Sequence, residues 1–136
     1  MKPILEYILN KNTKVVENPV EYSKMDNLKR LTYNDRNIQG ASAHDAFIYN
    51  TAQEIEKVLG KADKAEDKIK YLWCCKVDNL YFTVYDYKSY PRNKKVIDEY
   101  HIGTKDDATA KKAIELLKSC GLHAYIRKWN EPIPEK

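Results

Sequence analysis

The stretch Tyr71–Gly103, YLWCCKVDNLYFTVYDYKSYPRNKKVIDEYHIG, decides the fold. Two β-rich runs flank Asp78-Asn79, residues that tolerate the positive φ angles of a two-residue hairpin turn. Pairing Val77 with Leu80 sets the register. One face then carries Trp73, Cys75, Val77, Leu80, Phe82 and Val84. The other carries Leu72, Cys74, Lys76, Tyr81, Thr83, Tyr85 and Tyr87. The first set is almost wholly apolar and is expected to meet the core, since a slip of one residue would turn every side chain to the wrong side. Val96–Ile102 is predicted as a third strand, joined to the hairpin by Ser89–Lys95.

Working outward, two helices are punctuated in the sequence. Over Thr51–Leu59, Thr51 and Glu54 make a capping box, Ala52, Ile55, Val58 and Leu59 form the apolar stripe, and Gly60 is the stop. Over Thr104–Cys120, Thr104 with Asp107 resembles a second capping box. There Ala110, Ala113, Ile114, Leu117 and Cys120 repeat at i, i+3, i+4, i+7. Leu122–Trp129 is read as an edge strand and residues 130–136 as a loose tail. Tyr33–Asn37 reads as a turn and Asn37–Gly40 as a short strand ending at glycine. In residues 1–36, Ile4, Leu5, Ile8 and Leu9 have helical spacing beside Pro3. Val15, Val16, Val20 and Tyr22 suggest an extended segment broken by Pro19. The expected class is α+β: an antiparallel sheet with two amphipathic helices packed on one face.

At 136 residues the chain is long enough for one core and too short for two, so a single domain is expected. Its 24 basic and 20 acidic residues give +4, which permits an anionic partner without requiring one. No apolar run approaches the roughly 20 residues of a membrane span. The first ten residues lack the pattern of a secretory leader, so a cytoplasmic location is expected. Cys74 and Cys75 are adjacent on a strand and point to opposite faces, and with Cys120 they read as buried, reduced thiols. No Cys/His set has metal-ligand spacing, and there is no P-loop, nucleophile elbow or glycine-rich dinucleotide turn. Neither metal nor cofactor is expected.

The residues that could carry chemistry cluster after the hairpin. Asp86 and Lys88 continue the core parity of Phe82 and Val84 to the strand end. Either the strand has left the core and both reach water, or Lys88 faces a ligand anion and Asp86 orients a donor there. Lys88, Arg92, Lys94 and Lys95 lie among Tyr85, Tyr87 and Tyr90. Rings stack on bases and cations neutralise phosphates, so the mixture suits a nucleotide or a single strand of nucleic acid. The plainer reading is a solvated basic loop beside edge-packing tyrosines. His101 precedes Gly103 in a strand, where a histidine is structural or a ligand contact.

The segments Asn37-Ile38-Gln39-Gly40, Val58-Leu59-Gly60, Tyr71-Leu72-Trp73, Thr83-Val84-Tyr85-Asp86-Tyr87-Lys88 and Tyr100-His101-Ile102-Gly103 form a set. In that set the chain resembles a loose group of small phage and virus proteins. Lys61-Ala62 departs from it where a proline often follows the glycine, and Thr104 stands in place of a second glycine. The resemblance implies a viral accessory protein. Such proteins often act by binding, and several unrelated ones antagonise host defence by sequestering nucleotide signals. The reading is therefore a non-enzymatic, homo-oligomeric host-defence antagonist in the host cytosol, without membrane association. It would bind an anionic nucleotide-type ligand through Tyr85, Asp86, Lys88, Arg92 and His101. One alternative is a nucleic-acid or host-protein binder that inhibits a defence nuclease. Another is a small enzyme using Asp86, Lys88 or His101.

Overall fold

The computed structural model describes residues 21–64 and 67–136. The sequence readings on Ile4–Leu9 and on Val15–Val20 lie outside that range. In chain order the elements are β1 (Leu28–Arg30), β2 (Ser42–Thr51), α1 (Ala52–Leu59), β3 (Asp63–Lys64), β4 (Tyr71–Val77), β5 (Leu80–Tyr85), β6 (Ile97–Thr104), α2 (Asp107–Ser119) and β7 (Ala124–Ile126). The strands form one antiparallel sheet in the order β1-β4-β5-β6-β2-β7, with β3 also on β4. β1 pairs with Cys75–Val77 and β3 with Tyr71–Leu72, so they occupy successive stretches of the same β4 edge.

The hairpin is in the predicted register. Val77 faces Leu80, Trp73 faces Val84, and Asp78 takes φ 52° in the turn. Trp73, Cys75, Val77, Phe82 and Val84 are buried in one cluster with Ile48, Tyr100 and Ile102 of neighbouring strands. Ile55, Val58 and Leu59 of α1 and Ala110, Ala113, Ile114 and Leu117 of α2 join the same cluster, which puts both helices on one face of the sheet. The chain is thus α+β. Trp73 is fully buried, and its indole N–H donates to the Gly60 carbonyl at 2.8 Å, so its one polar atom is satisfied where α1 ends.

The capping box of α1 forms as the sequence suggests: Thr51 Oγ1 accepts from Glu54 N, and Glu54 Oε1 accepts from Thr51 N. Gly60 closes the helix at φ +87°. The start of α2 is a correction. Its cap is Asp106, whose carboxylate accepts from Thr109 N at 2.7 Å, while Thr104 belongs to β6 and donates its hydroxyl to the Asp106 carbonyl. The cap falls two residues beyond the expected one because Thr104 is still held in the ladder opposite Ser42.

Three further differences matter for the site. Asn37–Gly40 is not a strand. Ile38 N and Gln39 N both donate to the Asp35 carbonyl, Ala41 N donates to the Ile38 carbonyl, and Gly40 takes φ +88°. The segment is a tight turn folded over the sheet face opposite the helices, with Ile38 buried against Leu72 and Cys74. Second, Ser42–Thr51 is a ten-residue strand lying between β6 and β7. Its pairing is interrupted between Ala43 and Phe47, where Asp45 takes φ 60°. Third, residues 21–36 contribute to the fold: Met25 is buried in the main core, and Tyr22 packs against it. Residues 130–136 carry no helix or strand, but Lys136 Nζ donates to the Gly121 carbonyl at 2.6 Å.

Candidate functional site

The sheet face away from the helices is lined with aromatic side chains. The register places Tyr85 of β5 opposite His101 of β6, and His101 opposite Phe47 of β2. Phe47 in turn lies opposite Tyr125 of β7. The Tyr85 and His101 rings stack, with centroids 5.3 Å apart and planes 18° from parallel. Tyr87 meets the His101 ring edge-on at 6.2 Å, and Phe47 lies 5.1 Å from its other side.

Gly103 explains why Tyr85 can lie flat. Thr83 and Gly103 are cross-strand partners. A Cβ at Gly103 would sit 2.4 Å from Thr83 Oγ1 and 3.3 Å from Tyr85 Cε1. Only a residue without a side chain lets the tyrosine ring close over the strand, the arrangement by which an aromatic covers a glycine across a strand pair. The Tyr100-His101-Ile102-Gly103 segment therefore has a local reading. Tyr100 and Ile102 enter the core, His101 stacks, and Gly103 makes the room.

Between this floor and the Ile38–Ala41 turn is an open cleft of about 710 Å³. Its walls include Ile38, Ile69, Thr83, Tyr85, Tyr87 and His101. The size and the mix of apolar walls with few polar groups suit a small organic ligand. Burial pulls the His101 pKa below its ordinary 6.5, although Glu99 and Asp98 act in the opposite direction. Burial likewise raises the Tyr85 pKa, with Tyr87 adding to it. The floor is thus a neutral aromatic surface at pH 7. His101 Nδ1 is buried and has no hydrogen-bond partner among the described residues.

Of the five residues singled out in the sequence, Tyr85 and His101 come together in the cleft. Lys88 does not itself line the cleft; it is exposed, at φ 61°, with Nζ 5.3 Å from the ring centroid of Tyr87, which does. Asp86 does neither of the things expected of it. It is fully buried, and its carboxylate accepts from Lys70 N at 3.0 and 3.1 Å and from Tyr71 N at 2.6 Å. It clamps the start of β4 to the end of β5, and no described hydrogen bond joins it to Lys88 or His101. Arg92 is exposed and does not line the cleft, and its carbonyl and that of Pro91 accept from Lys70 Nζ.

The basic loop turns toward α1 instead. Lys94 pairs with Glu56 at 2.8 Å, and its carbonyl accepts from Gln53 N. Tyr90 and Lys94 line a smaller recess of about 450 Å³ with Lys61, Lys64, Lys70 and Tyr71. The basic and aromatic residues that are mixed in the sequence are thus divided between two places in the fold.

Several participants escaped the sequence reading. Phe47 and Tyr49 lie on β2, which lacks a clean polar and apolar alternation because both of its faces carry apolar or aromatic side chains, one buried and the other half-buried. Glu99, Tyr125 and Arg127 form a polar group beside Phe47. Arg127 Nε donates to Glu99 Oε2 at 2.6 Å, its second terminal nitrogen pairs with Oε1, and the Tyr125 hydroxyl donates to Oε2 at 2.6 Å. Burial alone would raise the Glu99 pKa, but the bonds from Arg127 and Tyr125 outweigh it and the carboxyl is held below its usual range. The Arg127 guanidinium also lies 5.1 Å over the Phe47 ring.

All three cysteines are buried and free. Burial pushes the Cys74 thiol up to about 11 and Cys75 higher still, which suits inert core thiols. Among the described residues no group of three or more His, Cys, Asp or Glu side chains is placed to hold a metal ion, and no helix is long and apolar enough to cross a membrane.

Comparison of the chain with protein-family models, with curated proteins and with solved structures found no match.

Proposed function

We propose that the protein is a non-enzymatic binding protein for an anionic, nucleotide-type ligand. The observation that supports this most is the neutral floor of the cleft, where Tyr85 and His101 lie parallel with Tyr87 set edge-on beside them. A planar base entering beneath the Ile38–Ala41 turn meets an aromatic floor with the Thr83 hydroxyl in the wall, and each base–aromatic stack is worth about 1–3 kcal/mol. Lys88, beside the Tyr87 ring, is the cation that would meet a phosphate leaving the cleft past Tyr87. Asp86, being spent on backbone N–H groups, serves as a structural clamp in this reading, and Arg92 acts at most through long-range charge.

The wider reading is an accessory protein of a phage or virus that sequesters a nucleotide signal of host defence in the cytosol. It rests on the resemblance of the motif segments. The cleft is open on one side, with Tyr33 and Tyr87 exposed at its border, so a second copy of the chain closing over it is part of the proposal.

The test is mass spectrometry of small molecules released from the purified protein, followed by titration of the identified compound against wild type, Tyr85→Ala and Lys88→Ala. Loss of binding in both variants, with Lys88→Ala at the wild-type melting temperature and Tyr85→Ala still folded, supports the assignment. Undiminished binding in both removes it.

A further inference from the structure

The aromatic lining does not stop at the cleft. Beyond His101 the rings continue along the same face to Phe47 and Tyr125, 6.1 Å apart, then to His123 at 4.9 Å from Tyr125 and Tyr49 at 6.2 Å from His123. The row crosses β5, β6, β2 and β7, four adjacent strands. At about 4.8 Å per strand it spans on the order of 14 Å, more than one base can cover. Tyr125 is buried, but Phe47, Tyr49, His101 and His123 are each partly exposed, so the row reaches the surface.

The charges near the row leave room for an anion. Lys29 and Lys76 share its parity but lie off it on β1 and β4, and Asp63, which also shares it, is paired with Arg30. Lys88 stands at one end of the row. The acid nearest the row, Glu99, is already neutralised by Arg127 and hydrogen-bonded by Tyr125.

We propose that the cleft is the first of two stacking stations and that the ligand is two bases joined through phosphate. The first base lies on Tyr85 and His101. The second lies on Tyr49, edged by His123 and beyond Phe47, whose ring is already covered by the Arg127 guanidinium, with the linking phosphate passing between. The inference rests on the nucleotide reading of the cleft and narrows it to this class. A linear strand and a cyclic dinucleotide share this chemistry, and the open side of the cleft admits both.

The test compares adenosine monophosphate, a linear adenylate dinucleotide, a cyclic adenylate dinucleotide and a linear tetranucleotide by calorimetric titration at low salt. The two-station arrangement predicts that at least one dinucleotide binds about fivefold or more tighter than the monophosphate, the lower end of one added base stack. Tyr49→Ala is expected to abolish that gain while leaving the monophosphate unchanged, and Tyr49→Phe to retain it. A gain confined to the linear compounds identifies a strand, and one confined to the cyclic compound identifies a closed dinucleotide. If the monophosphate binds and Tyr85→Ala weakens it, but no dinucleotide binds tighter, the second station is overturned and the cleft reading stands. The second station is likewise overturned if Tyr49→Ala folds and keeps the gain, or if Tyr49→Phe loses it. If no compound binds, both fall.

Discussion

Tyr85 and His101 are direct partners across the β5–β6 pair, and their rings stack 18° from parallel over a glycine two residues farther along the strand. The stack depends on what is missing at position 103 as much as on the two rings. Gly103→Ala would drive a methyl group against Thr83 Oγ1 and the Tyr85 ring. Both neighbours are held in a central strand, so relief requires off-rotamer side chains or a backbone shift. The expected loss is about 1–3 kcal/mol by denaturant unfolding, with a changed tyrosine fluorescence signal. An unchanged midpoint would show that the ring is free to move away.

Asp86 is expected to be a stability residue rather than a contact residue. Asp86→Ala leaves two backbone N–H groups at the Lys70–Tyr71 junction without their acceptor. Each orphaned donor costs about 1–3 kcal/mol, so a loss of several kcal/mol is expected in thermal or urea unfolding. Asp86→Asn keeps one acceptor oxygen and should fall between Ala and wild type. If Asp86→Ala instead leaves stability intact and abolishes ligand binding, the carboxylate belongs to the site and the clamp is incidental.

The two helices are predicted to be held by the face that shares the hairpin's parity. Leu117 is fully buried and Ile114 nearly so, in one cluster with Phe82 and Val84. Ile114→Ala or Leu117→Ala should each cost about 2–5 kcal/mol, a transfer loss plus a cavity. A loss below about 0.5 kcal/mol would mean that α2 is not packed against the sheet as described.

Much of this frame was legible in the sequence. The Val77–Leu80 register, the buried face of the hairpin and the Thr51–Glu54 cap depend on interactions between residues close in the chain, and such local rules can be read directly. What was not legible depends on distant covering. Ser42–Thr51 shows no clean alternation because Ile48 meets the helices while Phe47 and Tyr49 line the opposite aromatic face, so both parities are apolar. Ile38 looked like part of a strand because its burial comes from Leu72 and Cys74, far along the chain. For the candidate site, Tyr85 and His101 followed from register. Asp86 and Arg92 were grouped with them by proximity in sequence, which does not reveal that one is spent on backbone donors and the other lies off the cleft.

Acidification should destabilise the fold through His101. Burial depresses its pKa in the folded state relative to 6.5, so the unfolded chain binds a proton that the folded chain does not. The stability it contributes is fully present above about pH 6.5 and is lost as pH falls toward the folded-state value. His123 shifts the same way, again chiefly through burial. Unfolding free energies measured between about pH 7.5 and 5 should therefore fall, and His101→Phe should fall less steeply while preserving a ring in the stack. A slope identical to wild type would show that His101 is not buried neutral.

The last expectation separates the two basic residues that sequence proximity had grouped. Neither lines the cleft, but the Lys88 Nζ lies 5.3 Å from the ring of Tyr87, a cleft-lining residue, whereas no described ring contact or hydrogen bond joins Arg92 to the lining. If a phosphorylated ligand sits on Tyr85 and His101, Lys88→Ala removes a near-contact charge. Arg92→Ala removes only a distant one, which salt screens over about 10 Å at 0.1 M. At low salt both variants should bind more weakly, Lys88→Ala by the larger factor. At 0.3 M salt Arg92→Ala should converge on wild type while Lys88→Ala remains weaker. Both variants should keep the wild-type melting temperature, because both side chains are exposed. The opposite order, with Arg92→Ala the more damaging at high salt, would move the phosphate away from the Tyr85 cleft. The recess lined by Lys61, Lys64, Lys70 and Lys94, with Asp63 and Asp67, would then be the place to look.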